Sequence, residues 1–126
     1  MRTIVYDTGA LVAAERRNPD FLALHDELTA ARIRPIVPVA VLALAWRGGP
    51  QHQISRVLKG CDIRPDDERT GRAAGVACGA SRTADVVDAI VVATAVQYQA
   101  AVVTGDPGDL NHLADSIGVK LRLFTV

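Results

Sequence analysis

Aromatic side chains are scarce: two Phe, two Tyr and one Trp make up 4% of 126 residues. So few rings exclude a base-stacking platform, and any nucleic acid bound here is read through its shape and backbone. Cysteine is sparser still. Cys61 and Cys78 are too few for a disulfide scaffold, and with His25, His52 and His112 they show no zinc-like spacing. No serine or cysteine stands in a recognisable nucleophile motif. Net charge is absent as well, since 14 basic residues balance 14 acidic ones, which excludes a global pull toward nucleic acid or membrane. The longest uncharged stretch, 89–105, contains Gln97, Tyr98 and Gln99 and falls short of the about 20 apolar residues that a bilayer span needs. The first apolar run, Ile4-Val5-Tyr6, stops at Asp7, so no secretory leader is expected. The expected location is the cytoplasm, with both thiols reduced.

What the sequence does have is apolar content, at 49%, enough for one core and too little chain for two. A single domain over 1–126 is expected. Its charge is unevenly spread: residues 1–30 carry three basic and five acidic side chains, 31–82 nine and four, and 83–126 two and five. A basic middle is thus flanked by acidic ends.

Strands are expected at 3–6, 33–37, 61–64, 100–104 and 120–126, where β-prone runs are bounded by Gly, Pro or Asp. Asp7-Thr8-Gly9 suits a turn out of the first strand. Helices are expected at 20–31, at 39–46 as a short buried helix with Trp46 in the core, and at 51–59. Further helices follow at 66–80, 85–99 and 107–117. In the fourth, small residues from Gly71 to Ala80 suggest close packing against a neighbour, and the fifth, apolar nearly all round, must be central. Strands alternating with helices predict an α/β sandwich around a mainly parallel sheet.

Ligands of open parallel sheets bind beyond the carboxyl ends of the strands. Two strands end in aspartate there: Asp7 follows the first, and Asp106 follows Thr104 after one glycine. A third carboxylate, Asp88, opens the most apolar helix. Capping accounts for some of these acids singly, because Asp85-Val86-Val87-Asp88 and Asp106-Pro107-Gly108-Asp109 both match an N-cap followed by an acidic N3 residue. Capping does not account for Asp7, whose strand already pairs its backbone. A hard cation held by oxygen ligands explains the three sites together, and a capping aspartate can also be a ligand. Asp7-Thr8-Gly9 also matches the active-site triplet of aspartic proteases, a dimer supplying two, although that fold is nearly all β.

In order and separation, four segments resemble the PIN domains, and in particular the VapC-like toxins of bacterial toxin–antitoxin pairs. They are Ile4-Val5-Tyr6-Asp7-Thr8, the run from Pro38 to Arg47, the run from Asp88 to Ala95, and Val102-Val103-Thr104-Gly105-Asp106. The resemblance implies a three-layer sandwich with a mainly parallel central sheet. It implies a metal-dependent endoribonuclease with Asp7, Asp88 and Asp106 as catalytic, Mg²⁺- or Mn²⁺-binding acids. Thr104 would orient Asp106, and Asp85 and Asp109 would serve as additional carboxylates. The family usually places a glutamate in the helix ending at Trp46-Arg47, where the best match is Leu44. One carboxylate is therefore missing, and the alternative is a PIN-like module that binds RNA or a partner without cleaving.

An acidic site repels phosphate unless cations and nearby basic groups intervene. Arg47, beside Gly48-Gly49, and Arg82, just before the acidic helix, are the expected RNA phosphate contacts. The resemblance further implies a small antitoxin whose basic segment enters the acidic cleft, and a homodimer.

Overall fold

The computed structural model describes residues 2–126. Five strands alternate with helices: β1 (Ile4–Tyr6), α1 (Thr8–Glu15), α2 (Pro19–Ala30), β2 (Ile36–Pro38), α3 (Val39–Ala45), α4 (His52–Leu58) and β3 (Asp62–Arg64). They continue through α5 (Glu68–Ser81), α6 (Val86–Tyr98), β4 (Ala101–Thr104), α7 (Pro107–Ser116) and β5 (Leu123–Thr125). All the strand pairs are parallel, in the order β3-β2-β1-β4-β5. The three inner strands, Ile-Val-Tyr, Ile-Val-Pro and Ala-Val-Val-Thr, are buried at every residue, which requires helices on both faces and explains their lack of charge. The expected three-layer α/β sandwich is therefore present. An α/β fold of this kind removes the aspartic-protease reading of Asp7-Thr8-Gly9. Among the described residues no helix is long and apolar enough to cross a membrane.

The largest departure from expectation is α1. Its sequence opens like a turn, yet Asp7 adopts an extended backbone and its Oδ1 accepts from the Ala10 N–H at 3.0 Å, so Asp7 is the N-cap of a helix. Ala10, Leu11, Ala13 and Ala14 then enter the core. Capping does account for one oxygen of Asp7, contrary to the sequence argument. Gly9 is not a turn residue either. A Cβ on it would lie 2.5 Å from the Gly105 nitrogen and 2.8 Å from its Cα, so the start of α1 touches the loop after β4 through two glycines.

Two smaller corrections concern exposure. The helix α3 is only half buried: Val41 and Ala45 face inward, whereas Val39, Leu44 and Trp46 are exposed, so Trp46 is not a core residue. Its N-terminus is capped from a distance, because the Ala40 N–H donates to Asp66 Oδ2 at 3.1 Å. In α5 the packing face is Thr70, Ala74, Ala77 and Ser81, while Gly71, Gly75 and Gly79 look onto open space. The central position of α6 agrees with its composition, with Ala89 to Val92, Thr94 and Ala95 all buried.

Beneath α2 the core closes around Tyr6, Phe21 and His25. The Tyr6 hydroxyl and His25 Nδ1 are 2.8 Å apart, and Phe21 meets Tyr6 edge-on at 5.2 Å between ring centroids. Burial drives the phenol well above its usual range and lowers His25, which favours the uncharged form of both groups at the carboxyl end of β1.

The glycine contact yields a test of the fold. In Gly9→Ala the added methyl meets backbone, which cannot rotate away, and overpacking of this kind costs about 1–3 kcal/mol. The expected result is a lower denaturation midpoint at unchanged m-value. Wild-type stability in this variant would show that the two loops separate freely.

Candidate metal centre

Parallel pairing of β1 with β4 in the register Val5↔Val102 sets the ends of both strands side by side. Asp7 leaves β1 with its N–H donating to the Val103 carbonyl at 3.1 Å, and Asp106 leaves β4 after Gly105. Thr104, wholly buried, ties the two together. Its Oγ1 accepts from the Asp106 N–H at 2.9 Å, and its side chain also hydrogen-bonds Asp7. Asp106 Oδ1 accepts from the Asp109 N–H at 3.3 Å and so caps α7.

The N-terminus of α6 meets these strand ends. Asp85 stands at its N-cap but makes no capping hydrogen bond, which leaves its carboxylate free of backbone duty. Asp88, one turn in, is half-buried. One carboxylate oxygen each from Asp85, Asp88 and Asp109 lie within 4.8 Å of one another. Asp88 also lines a cleft of about 480 Å³ with Asp7, Asp106, Thr8, Gly105 and the turn residues Arg16 and Asn18. Asp88 thus joins two groups of acids, one toward Asp7 and Asp106, the other toward Asp85 and Asp109.

The electrostatics follow from this crowding. Asp88 is pushed up to about 6, first by burial and then by repulsion from Asp85, Asp7, Asp109 and Asp106. Burial raises Asp7 as well, opposed by hydrogen bonds from Thr104 and from the backbone at Ala10, Gly9 and Gly105. Asp109 is raised by its hydrogen bond to Asp106 and the charge beside it. None of these acids belongs to an ion pair among the described residues. Thr8 Oγ1, in the same cleft, is buried without a hydrogen-bond partner. Unpaired carboxylates beside an orphaned hydroxyl form an all-oxygen donor set that fits a hard divalent cation.

The arginines expected to meet phosphate lie elsewhere on the surface. Arg47 Nη1 donates to the carbonyls of Ala43 and Trp46, at 3.2 and 2.8 Å, and thereby caps the C-terminus of α3. Arg82 closes α5 in a left-handed conformation, φ 57°. Neither lines the acidic cleft. Arg16 and Asn18 do, and sequence reasoning passed over them because it assigned no helix to α1 and so no turn after it. Leu44 stands beside the acids: with Val86 and Val87 it lines an apolar depression of about 300 Å³ that includes Asp85 and Asp88.

The charge on Asp88 makes one distinct contribution to the pH dependence of the metal-free protein. Its folded value, about 6, exceeds the ordinary 3.8, so the folded state binds the extra proton between these limits. The associated stability is fully present below about pH 4 and is lost as pH rises through about 6. Chemical denaturation in EDTA should show wild type losing stability relative to Asp88→Asn as pH rises from about 4 through 6, with the variant the more stable protein at pH 7. A variant less stable than wild type at every pH would show that Asp88 serves to cap α6.

No family model matches the sequence, and no curated protein matches it. Solved structures do. A chain of VapBC2 from Rickettsia felis, bound to a DNA fragment from the promoter, superposes with a TM-score of 0.71 at 17% identity, covering 98% of both chains. A chain of FitAcB from Neisseria gonorrhoeae gives 0.67 at 18% identity over 97% of this chain and 96% of that one. A chain of FitAB bound to the IR36 DNA fragment gives 0.64 at 19% over 97% and 94%. What is shared at such identities is the course of the backbone through the whole sheet and its helices. The chain has a PIN-like α/β fold, shared with these VapBC2, FitAcB and FitAB chains.

Proposed function

We propose that this protein is a divalent-cation-dependent endoribonuclease, the toxin of a two-component toxin–antitoxin pair. The observation that carries the proposal is the convergence of Asp7, Asp85, Asp88, Asp106 and Asp109 where β1, β4 and α6 meet, in a fold shared with VapBC2 and FitAB chains. Asp7, Asp88 and Asp106 are the proposed catalytic acids, Asp85 and Asp109 the supplementary ligands, and Mg²⁺ or Mn²⁺ the cation. When bound, such a cation activates water for in-line attack and offsets charge on the phosphodiester oxygens.

The chain's own contribution is placement. Asp7 is locked by its cap to α1 and its bond to Thr104, and Asp106 is locked by Thr104 and by its cap to α7, so neither has to be ordered when substrate arrives. Asp88 holds a proton more readily than an ordinary carboxyl and must give it up to act as a ligand, so metal affinity should fall steeply below about pH 6. Arg47 and Arg82 remain candidates for more distant RNA phosphates. By its likeness to the chains of the DNA-bound VapBC2 and FitAB we assign this chain a protein partner, an antitoxin, and propose a homodimeric toxin in the cytoplasm.

Leu44 favours a second reading. It is 46% exposed and adjoins Asp85 and Asp88, yet α3 brings no carboxylate to the site, as befits a PIN-like module that has kept binding and lost cleavage. Incubation of total RNA with Mg²⁺, Mn²⁺ or EDTA separates the two. Cleavage that EDTA abolishes, and that Asp7→Asn, Asp88→Asn and Asp106→Asn each reduce at least about 100-fold with the fold intact, supports the enzyme. No cleavage in either metal supports the binding module. Because Leu44 is exposed, Leu44→Glu should fold normally and tighten Mn²⁺ binding about tenfold by calorimetric titration, as one added carboxylate ligand would. Unchanged affinity would place Leu44 outside the ligand shell.

A further inference from the structure

The acidic cleft has a second wall of opposite character. It is the short turn between α1 and α2, Arg16-Arg17-Asn18, of which Arg16 and Asn18 line the same cleft as Asp7, Asp88 and Asp106. Three features mark this turn as built. The Asn18 N–H donates to the Ala13 carbonyl at 2.9 Å and the Arg17 N–H to the Ala14 carbonyl at 3.0 Å, so the end of α1 is closed by paired bonds. Arg17 takes the left-handed position, φ 54°, that glycine usually fills. Asn18 Oδ1 accepts from the Phe21 N–H at 3.0 Å and caps α2, which fixes its side chain.

The polar groups left over face a common task. Among the described residues the Arg16 guanidinium makes no side-chain hydrogen bond and no ion pair, although it borders a cleft containing Asp7, Asp88 and Asp106. The amide nitrogen of Asn18 likewise donates to nothing. A cleft of about 480 Å³ has room for a nucleotide-sized unit between its walls. An anionic polymer lying across it would meet cation-loaded carboxylates on one side and a planar guanidinium fork on the other.

Building on the ribonuclease reading, we propose that Arg16, supported by the Asn18 amide, is the positioning residue that grips the RNA phosphate adjoining the scissile one. The guanidinium takes two phosphate oxygens and the amide a third polar contact. This grip sets the register of the strand over the carboxylates. Arg16 supplies no oxygen donor, so its loss removes RNA affinity without weakening metal binding.

The test is fluorescence anisotropy of a labelled single-stranded RNA oligonucleotide on the full chain, with Ca²⁺ present so that cleavage does not intervene, over a series of salt concentrations. Arg16→Ala should weaken binding about tenfold and make the slope of log affinity against log salt shallower by about 0.7, the loss of one phosphate contact to single-stranded RNA. Arg16→Lys should keep the slope and recover only part of the affinity, because a point charge replaces the fork. Lys120→Ala, an equal loss of charge away from the cleft, should leave both within about twofold. Calorimetric Mn²⁺ titration of Arg16→Ala should give an affinity no weaker than wild type. Wild-type RNA binding that Arg16→Ala leaves intact in affinity and slope would overturn the inference and spare the ribonuclease reading. Failure of the wild-type protein to bind RNA would remove both.

Discussion

The pairing of β1 with β4 is the constraint on which the rest depends. Both strands are buried on both faces, so their register is set by the core and not by anything at the surface. Once Val5 lies beside Val102, Asp7 and Asp106 emerge next to one another, the loops after the two strands touch at Gly9 and Gly105, and Thr104 can bond to both acids. The apolar face of α6 then finds its place against the same sheet and carries Asp88 to the strand ends. Hydrophobic burial thereby assembles a group of like charges that would not gather unaided.

That assembly has an electrostatic cost, and the structure distributes it. Asp7, the most buried of the five acids, is held by backbone and hydroxyl donors, each of which favours its ionised form. Asp88 has fewer such donors and answers by holding its proton to higher pH. Asp85, Asp106 and Asp109 stay exposed, where water screens them. The caps of α1 and α7 use carboxylates of this same group, so helix capping and the acidic site are one arrangement with two uses.

Much of this was legible in the sequence, for physical reasons. Strands buried on both faces leave continuous Val/Ile runs, and a central helix shows apolar residues all round, so β1, β4 and α6 could be read directly, along with the aspartates at their ends. The helix α1 could not. Its opening residues have turn composition, and the reason for Gly9 lies in a contact with Gly105, far along the chain. Missing α1 concealed the cap on Asp7 and the Arg16 wall together. Trp46 was misplaced because a helix of seven residues has too little periodicity to reveal which side faces solvent. Arg47, expected at phosphate from its neighbours in sequence, directs Nη1 to the carbonyls at the end of α3.

On the proposed reading these aspartates hold one cation. Anomalous diffraction from crystals grown with Mn²⁺ tests it most directly, since it locates the ion without reference to activity. The expected result is an anomalous peak coordinated by Asp88 together with an oxygen of Asp7, Asp106, Asp85 or Asp109, lost in Asp88→Asn. An empty cleft at saturating Mn²⁺, or an ion bound only elsewhere on the surface, would contradict it.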